Sequence, residues 1–217
     1  MDDLSEARIN MVENQIRPSD VTDLRIQKAM MTIPRELFLP KTVKLLAYSE
    51  ERLEVIPGRR VMEPRTLAKM IQAADIKSTD LVLLVGCATG YAAALVSQLA
   101  AAVVALDSDQ SLAESAAANF THLGIDTVAV VTGPLAEGHG AQAPYDVILI
   151  DGAVEEVPAA LTDQLAAGGR LIAPQGAGST GAVRLYERTG DSVSSRYLFD
   201  AAAPVLPGFQ KPREFAL

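Results

Sequence analysis

The sequence predicts an α/β fold: a doubly wound, mostly parallel sheet carrying helices on both faces, preceded by a helical N-terminal extension. Three observations carry this. Apolar runs too short for helices alternate with helix-like stretches from Asp80 onward. The first of those runs, "LVLLV", leads into a glycine-bracketed turn, "GCATG". Residues 1–77 show helical periodicity.

In the extension, "RIQKAMMTIPRELF" places Ile26, Ala29, Met30 and Ile33 on one helical face, and Pro34 stops the helix. "PKTVKLLAYSEE" reads as a further short helix. In "GRRVMEPRTLAKM", Pro64 suits a first helical turn, where its missing N–H is not needed. Leu67, Met70, Ile71 and Ala74 then fall at i, i+3, i+4 and i+7. In the α/β core the expected strands are 81–85, 103–106, 127–131, 146–150 and 169–174. Helices are expected over 91–101, 109–123 and 157–168. Two late alternating runs, "AVRLYER" and "VSSRYLF", read as further strands. A chain of 217 residues fits one domain, 1–217, with residues 1–77 as the extension and 78–217 as the core.

Composition excludes several classes. A net charge of −8 argues against nucleic acid and against a polybasic membrane surface. The lone cysteine, Cys87, precludes an internal disulfide and predicts a reducing, cytoplasmic setting. With only His122 and His139 beside it, no metal site is expected. The opening "MDDLSEARINMVENQ" lacks the basic start and apolar centre of an export signal, and no apolar stretch is long enough to span a membrane.

In such a sheet, ligands sit beyond the carboxyl ends of the strands at the switch in strand order. Gly86, Cys87, Ala88, Thr89 and Gly90 form the first strand-end turn, and small residues there let a ligand approach the backbone. Asp107, 21 residues after Gly86, ends the second strand, where a carboxylate accepts hydrogen bonds from ribose hydroxyls; Ser108 follows it. Gly133 and Asp151 end the third and fourth strands. Each feature alone has a plainer explanation: Gly-x-x-x-Gly as a tight turn, Asp107 as a helix cap, Cys87 as a small turn residue. Together they point to a nucleotide-containing ligand. A dinucleotide would want glycines where Ala88 and Tyr91 stand, so S-adenosylmethionine is the expected cofactor.

Nearly end to end, the chain resembles the protein-L-isoaspartate (D-aspartate) O-methyltransferases. The resemblance lies in "MVENQI", "IPRELFLP", "AYSE", "LLVGCATGY" and "APYDVILIDGAVEEVPAALTDQLAAGGRLIAPQG". It implies a Rossmann-like adenosylmethionine-dependent methyltransferase fold. It also implies cofactor contacts at Gly86, Thr89, Gly90 and Asp107, backbone contributions from Cys87 and Ala88, and isoaspartyl peptides as substrate.

The departures are local. "GRRVMEP" stands where the family usually has Gly-Gln-Thr-Ile-Ser-Gln-Pro. Arg59, Arg60, Met62 and Glu63 thus replace the substrate loop's glutamine, threonine, serine and second glutamine, and Arg65 adds another cation beside them. Leu84 stands for a glutamate, Ala88 for the middle loop glycine and Pro134 for an acid. Two alternatives to isoaspartyl transfer therefore stand beside it: a methyltransferase of another substrate, and a non-catalytic adenosylmethionine-binding protein. The oligomeric state is not legible.

Overall fold

The computed structural model describes residues 3–177 and 180–210. Helix α1 (Asp3–Met11) runs into a wider π turn, Val12–Ile16, and α2 (Leu24–Thr32) follows. Asp23 caps α2 by accepting the Arg25 N–H at 2.8 Å. The "KLL" of the expected third helix makes only a short 3-10 turn, Lys44–Leu46. Next comes a hairpin that the sequence reading missed: β1 (Leu53–Ile56) pairs antiparallel with β2 (Arg59–Val61). Helix α3 (Pro64–Ala74) then begins on its proline, as expected.

The core strands are β3 (Leu81–Val85), β4 (Ala102–Asp107), β5 (Val128–Thr132), β6 (Tyr145–Ile150), β7 (Leu165–Ala177), β8 (Thr180–Thr189) and β9 (Ser192–Asp200). Between them lie α4 (Tyr91–Val96), α5 (Gln110–Leu123) and α6 (Ala159–Thr162). Sheet order is β5-β4-β3-β6-β7-β8-β9. The first five of these strands are parallel; β8 pairs antiparallel with β7, and β9 antiparallel with β8. The order reverses between β3 and β6, so the crevice is expected beyond Val85 and Ile150.

Alternation within the buried strands builds two cores. Val82, Leu84, Val147 and Leu149 face the layer made by the extension, α3, α4 and α5. Leu83, Val85, Ile148 and Ile150 face the other side with Leu161 of α6, Leu135, Leu206 and Phe209. Helical cover is therefore uneven: the second face carries short α6, turns and the segment after β9.

Two helices end well short of expectation. The helix expected over 91–101 stops at Val96, and that expected over 157–168 stops at Thr162. In the second case the residues from Leu165 onward join β7, where Leu165 pairs with Tyr145 of β6. Arg170 explains part of the "GGRL" motif. Its guanidinium donates to the Ala74 carbonyl at the end of α3 (2.7 Å) and to Asp80 (2.8 Å), fixing α3 to the sheet.

Candidate active site

The sequence motifs hold one another in place. Gln15 of "MVENQI" donates to the Tyr48 carbonyl of "AYSE" at 2.8 Å. The Tyr48 hydroxyl donates to Glu36 of "IPRELFLP". Arg35 of the same motif is 1% exposed and donates to the Met62 carbonyl at 2.7 Å. Its guanidinium lies 4.8 Å over the Tyr91 ring, and Phe38 meets that ring edge-on at 5.6 Å. Thr89 in the glycine turn donates its hydroxyl to the Phe38 carbonyl at 2.6 Å. The extension thus sets the position of the turn after β3.

That turn needs special backbone. Gly90 has φ 100°, and a Cβ there would fall 2.6 Å from Phe120 of α5, so only glycine fits. Ala88 keeps a left-handed φ of 48° although it carries a Cβ, at a cost of about 1 kcal/mol. Its N–H donates to Asp107 Oδ2 at 2.8 Å, which offsets that strain.

Asp107 is fully buried. Arg59 donates Nη1 to Oδ1 at 2.9 Å and Nη2 to Oδ2 at 2.8 Å, a two-pronged ion pair. Oδ1 also accepts the Asp109 N–H at 3.0 Å. Burial alone would lower the Arg59 pKa, but the Asp107 carboxylate raises it overall. The β2 pleat explains the choice of arginine: Arg59 and Val61 point in, and Arg60 between them is exposed. Arg65 is exposed too. Met62 is 2% exposed and belongs to the core. Glu63 is half-buried, accepting the Thr66 hydroxyl at 2.9 Å and lying 3.5 Å from Arg52.

The remaining candidates are spread around the strand ends. Cys87 is buried; burial first, then Asp107 and Asp151, push its thiol pKa up, which argues against a nucleophilic thiolate. Ser108 is exposed, and Gly133, followed by exposed Pro134, is partly so. Asp151 is buried with no partner on Oδ1. Burial pushes its pKa up to about 7, against the pull of Arg35 and Arg59.

A raised acid pKa means that the folded state holds the proton between about pH 4 and 7 while the unfolded chain has lost it. Stability therefore falls as pH rises through that window and is level above it. Asp151→Asn removes this loss. The variant is expected to match wild type near pH 4 and to exceed it at pH 8 by no more than roughly 4 kcal/mol, at about 1.4 kcal/mol per pKa unit. Urea denaturation at both pH values checks this, and identical pH profiles for the two proteins would refute it.

Like the hairpin, a second feature escaped the sequence reading. After β9 the chain crosses the strand ends, with Ala153 N–H donating to Pro204 O (3.0 Å) and Leu206 N–H to Ala153 O (2.9 Å). Leu206 rests on the glycines: a Cβ on Gly86 would be 2.8 Å from it, and one on Gly152 2.6 Å. A cavity of about 10 Å³, room for one water, lies beside Arg59, Met62, Gly152 and Leu206. The apolar, proline-flanked "PVLPGF" was the available signal.

A family model for protein-L-isoaspartate (D-aspartate) O-methyltransferases matches residues 6–202. The chain belongs to this family. Among its relatives, a protein-L-isoaspartate O-methyltransferase of Methanoculleus marisnigri is 40% identical over 169 residues, 78% of this chain and 77% of that one. One from Roseiflexus castenholzii is 36% identical over 207 residues, 95% and 94% of the two chains. A solved protein-L-isoaspartate O-methyltransferase superposes with TM-score 0.82 at 27% identity, over 94% of this chain and 66% of that one. A Plasmodium falciparum structure named for the same activity, in complex with S-adenosyl-L-homocysteine, shares the fold with TM-score 0.78 at 18% identity, over 92% and 97%. Among the described residues no acidic, histidine or cysteine cluster could hold a metal ion, and no helix is long and apolar enough to cross a membrane.

Proposed function

We propose that this family member transfers a methyl group from S-adenosylmethionine to the carboxylate of isoaspartyl residues in damaged peptides. The observation that carries the reading is the meeting of the Gly86–Gly90 turn and Asp107 at the point where strand order reverses, in a chain matched by the family from residue 6 to 202.

In chemistry the residues suit the cofactor. Asp107, once released by Arg59, would accept from two ribose hydroxyls, and the glycine turn would allow close approach to its backbone. Ser108, Gly133 and Asp151 border the same strand ends. When bound, the cofactor supplies an electrophilic methyl on a sulfonium. The substrate carboxylate, with an ordinary pKa of about 4, is already an anion at neutral pH, so no general base is required of this chain. What the protein contributes is alignment and exclusion of water. Met62 keeps its side of the site apolar, and exposed Arg60 and Arg65 offer cations to an anionic peptide. A cytoplasmic setting and peptide rather than nucleic-acid partners complete the proposal, in keeping with the acidic chain and single cysteine.

The test is labelled-methyl transfer to an isoaspartyl peptide as a base-labile ester. Wild type is expected to be slow. Met62→Ser should raise the rate at least tenfold, because a hydroxyl that hydrogen-bonds a carboxylate contributes about 1.5–3 kcal/mol. Absence of transfer by wild type, by Met62→Ser and by a variant carrying the family's whole loop, with the cofactor bound, defeats the reading. The Arg59–Asp107 pair favours a second reading, a family member whose crevice takes no adenosylmethionine. Binding measurements separate the two.

A further inference from the structure

The carboxylate at the ribose position has a complete set of partners within its own chain. Both oxygens of Asp107 accept one Arg59 prong and one backbone N–H, and the group has no exposed surface. The hairpin β1–β2 delivers that arginine from a site 48 residues earlier in the chain. At the switch point itself, Leu206 occupies the space in front of Gly86 and Gly152, where a ligand would approach the backbone. It is held there by the backbone bonds between Ala153 and the 204–206 segment. The cavity between Arg59 and Leu206 takes one water, while a separate one of about 290 Å³ adjoins Thr89 of the turn.

We propose that Arg59 and Leu206 are internal competitors for the adenosylmethionine crevice, so that cofactor binding requires the hairpin to release Asp107 and the 204–206 segment to lift. This rests on the crevice being the cofactor site. The exchange is chemically matched on one side only. A ribose diol presents two donors to the carboxylate, as the guanidinium does, but it is neutral. Asp107 therefore gives up a charged partner for an uncharged one, and Arg59 must find water through the exposed end of the hairpin at Gly58. The competition is intrinsic to residue 59: a neutral side chain there would leave the acid in place and its acceptor oxygens available.

The experiment is calorimetric titration of the full chain with S-adenosylmethionine and with S-adenosylhomocysteine, for wild type, Arg59→Gln, Leu206→Ala and the double variant. Circular dichroism verifies that each is folded. Each single variant is expected to bind at least tenfold more tightly than wild type, and the double variant more tightly still. Wild-type binding within twofold of all variants overturns the competition and leaves the crevice assignment standing. Weaker binding by Arg59→Gln also overturns it, since Arg59 would then assist the ligand. Failure of every folded variant to bind overturns both the competition and the cofactor reading. If Arg59→Gln does not fold, Leu206→Ala decides alone, and an unchanged affinity refutes the proposal.

Discussion

Asp107→Ala is expected to lower the stability of the free protein by about 3–5 kcal/mol, the usual cost of removing one member of a buried ion pair. The loss has three sources in the structure. Arg59, 7% exposed, is left as a buried cation without its carboxylate. The Ala88 N–H loses the acceptor that holds a left-handed alanine, and the Asp109 N–H loses its acceptor at the start of α5. Urea denaturation with a linear fit measures the change. A loss below about 1 kcal/mol would mean that the pair is open in solution. Replacing both partners with apolar groups, Arg59→Met with Asp107→Leu, should recover the part due to the unpaired Arg59 but not the two orphaned N–H groups, because no buried charge is then left alone.

The second large effect is expected at Phe38. Phe38→Ala should cost about 3–5 kcal/mol, the range for deleting a buried aromatic ring. Phe38 is 1% exposed and meets Tyr91 at an interplanar angle of 63°. Its backbone carbonyl anchors Thr89, so the cavity opens directly under the glycine turn. Combining it with Tyr91→Leu isolates the ring–ring contribution, expected at about 0.5–1.5 kcal/mol. A single-mutant loss under about 1.5 kcal/mol would show that neighbouring side chains close the space, and the packing account would fail.

The core strands were legible because β3, β4 and β6 are buried on both faces and read as unbroken apolar runs. Helix α3 was legible from Pro64 and its apolar stripe. The hairpin β1–β2 was not, because its strands have four and three residues and bear charged side chains outward. The extent of α6 was obscured by an alanine- and leucine-rich stretch whose composition suits a helix. Pairing of Leu165 with Tyr145 overrides that local preference.

At the site, the structure brings the expected turn and acid together, with the Ala88 N–H donating to Asp107. The partner of that acid was beyond reach. Three arginines stand near Pro64, and only the pleat of a strand too short to recognise decides that Arg59 turns inward. Leu206 was equally hidden, since its contact with Gly86 joins segments far apart in sequence through backbone bonds to Ala153.

The Arg59–Asp107 contact also has an evolutionary consequence. If the closed and open forms interconvert, the apparent dissociation constant equals the intrinsic one divided by the open fraction. Where the closed form dominates, every tenfold that the ion pair adds to the closed-to-open ratio is then a tenfold loss of affinity, about 1.4 kcal/mol transferred from ligand to fold. Selection for a sturdier apoprotein and selection for tighter ligand binding thus act on residue 59 in opposite directions.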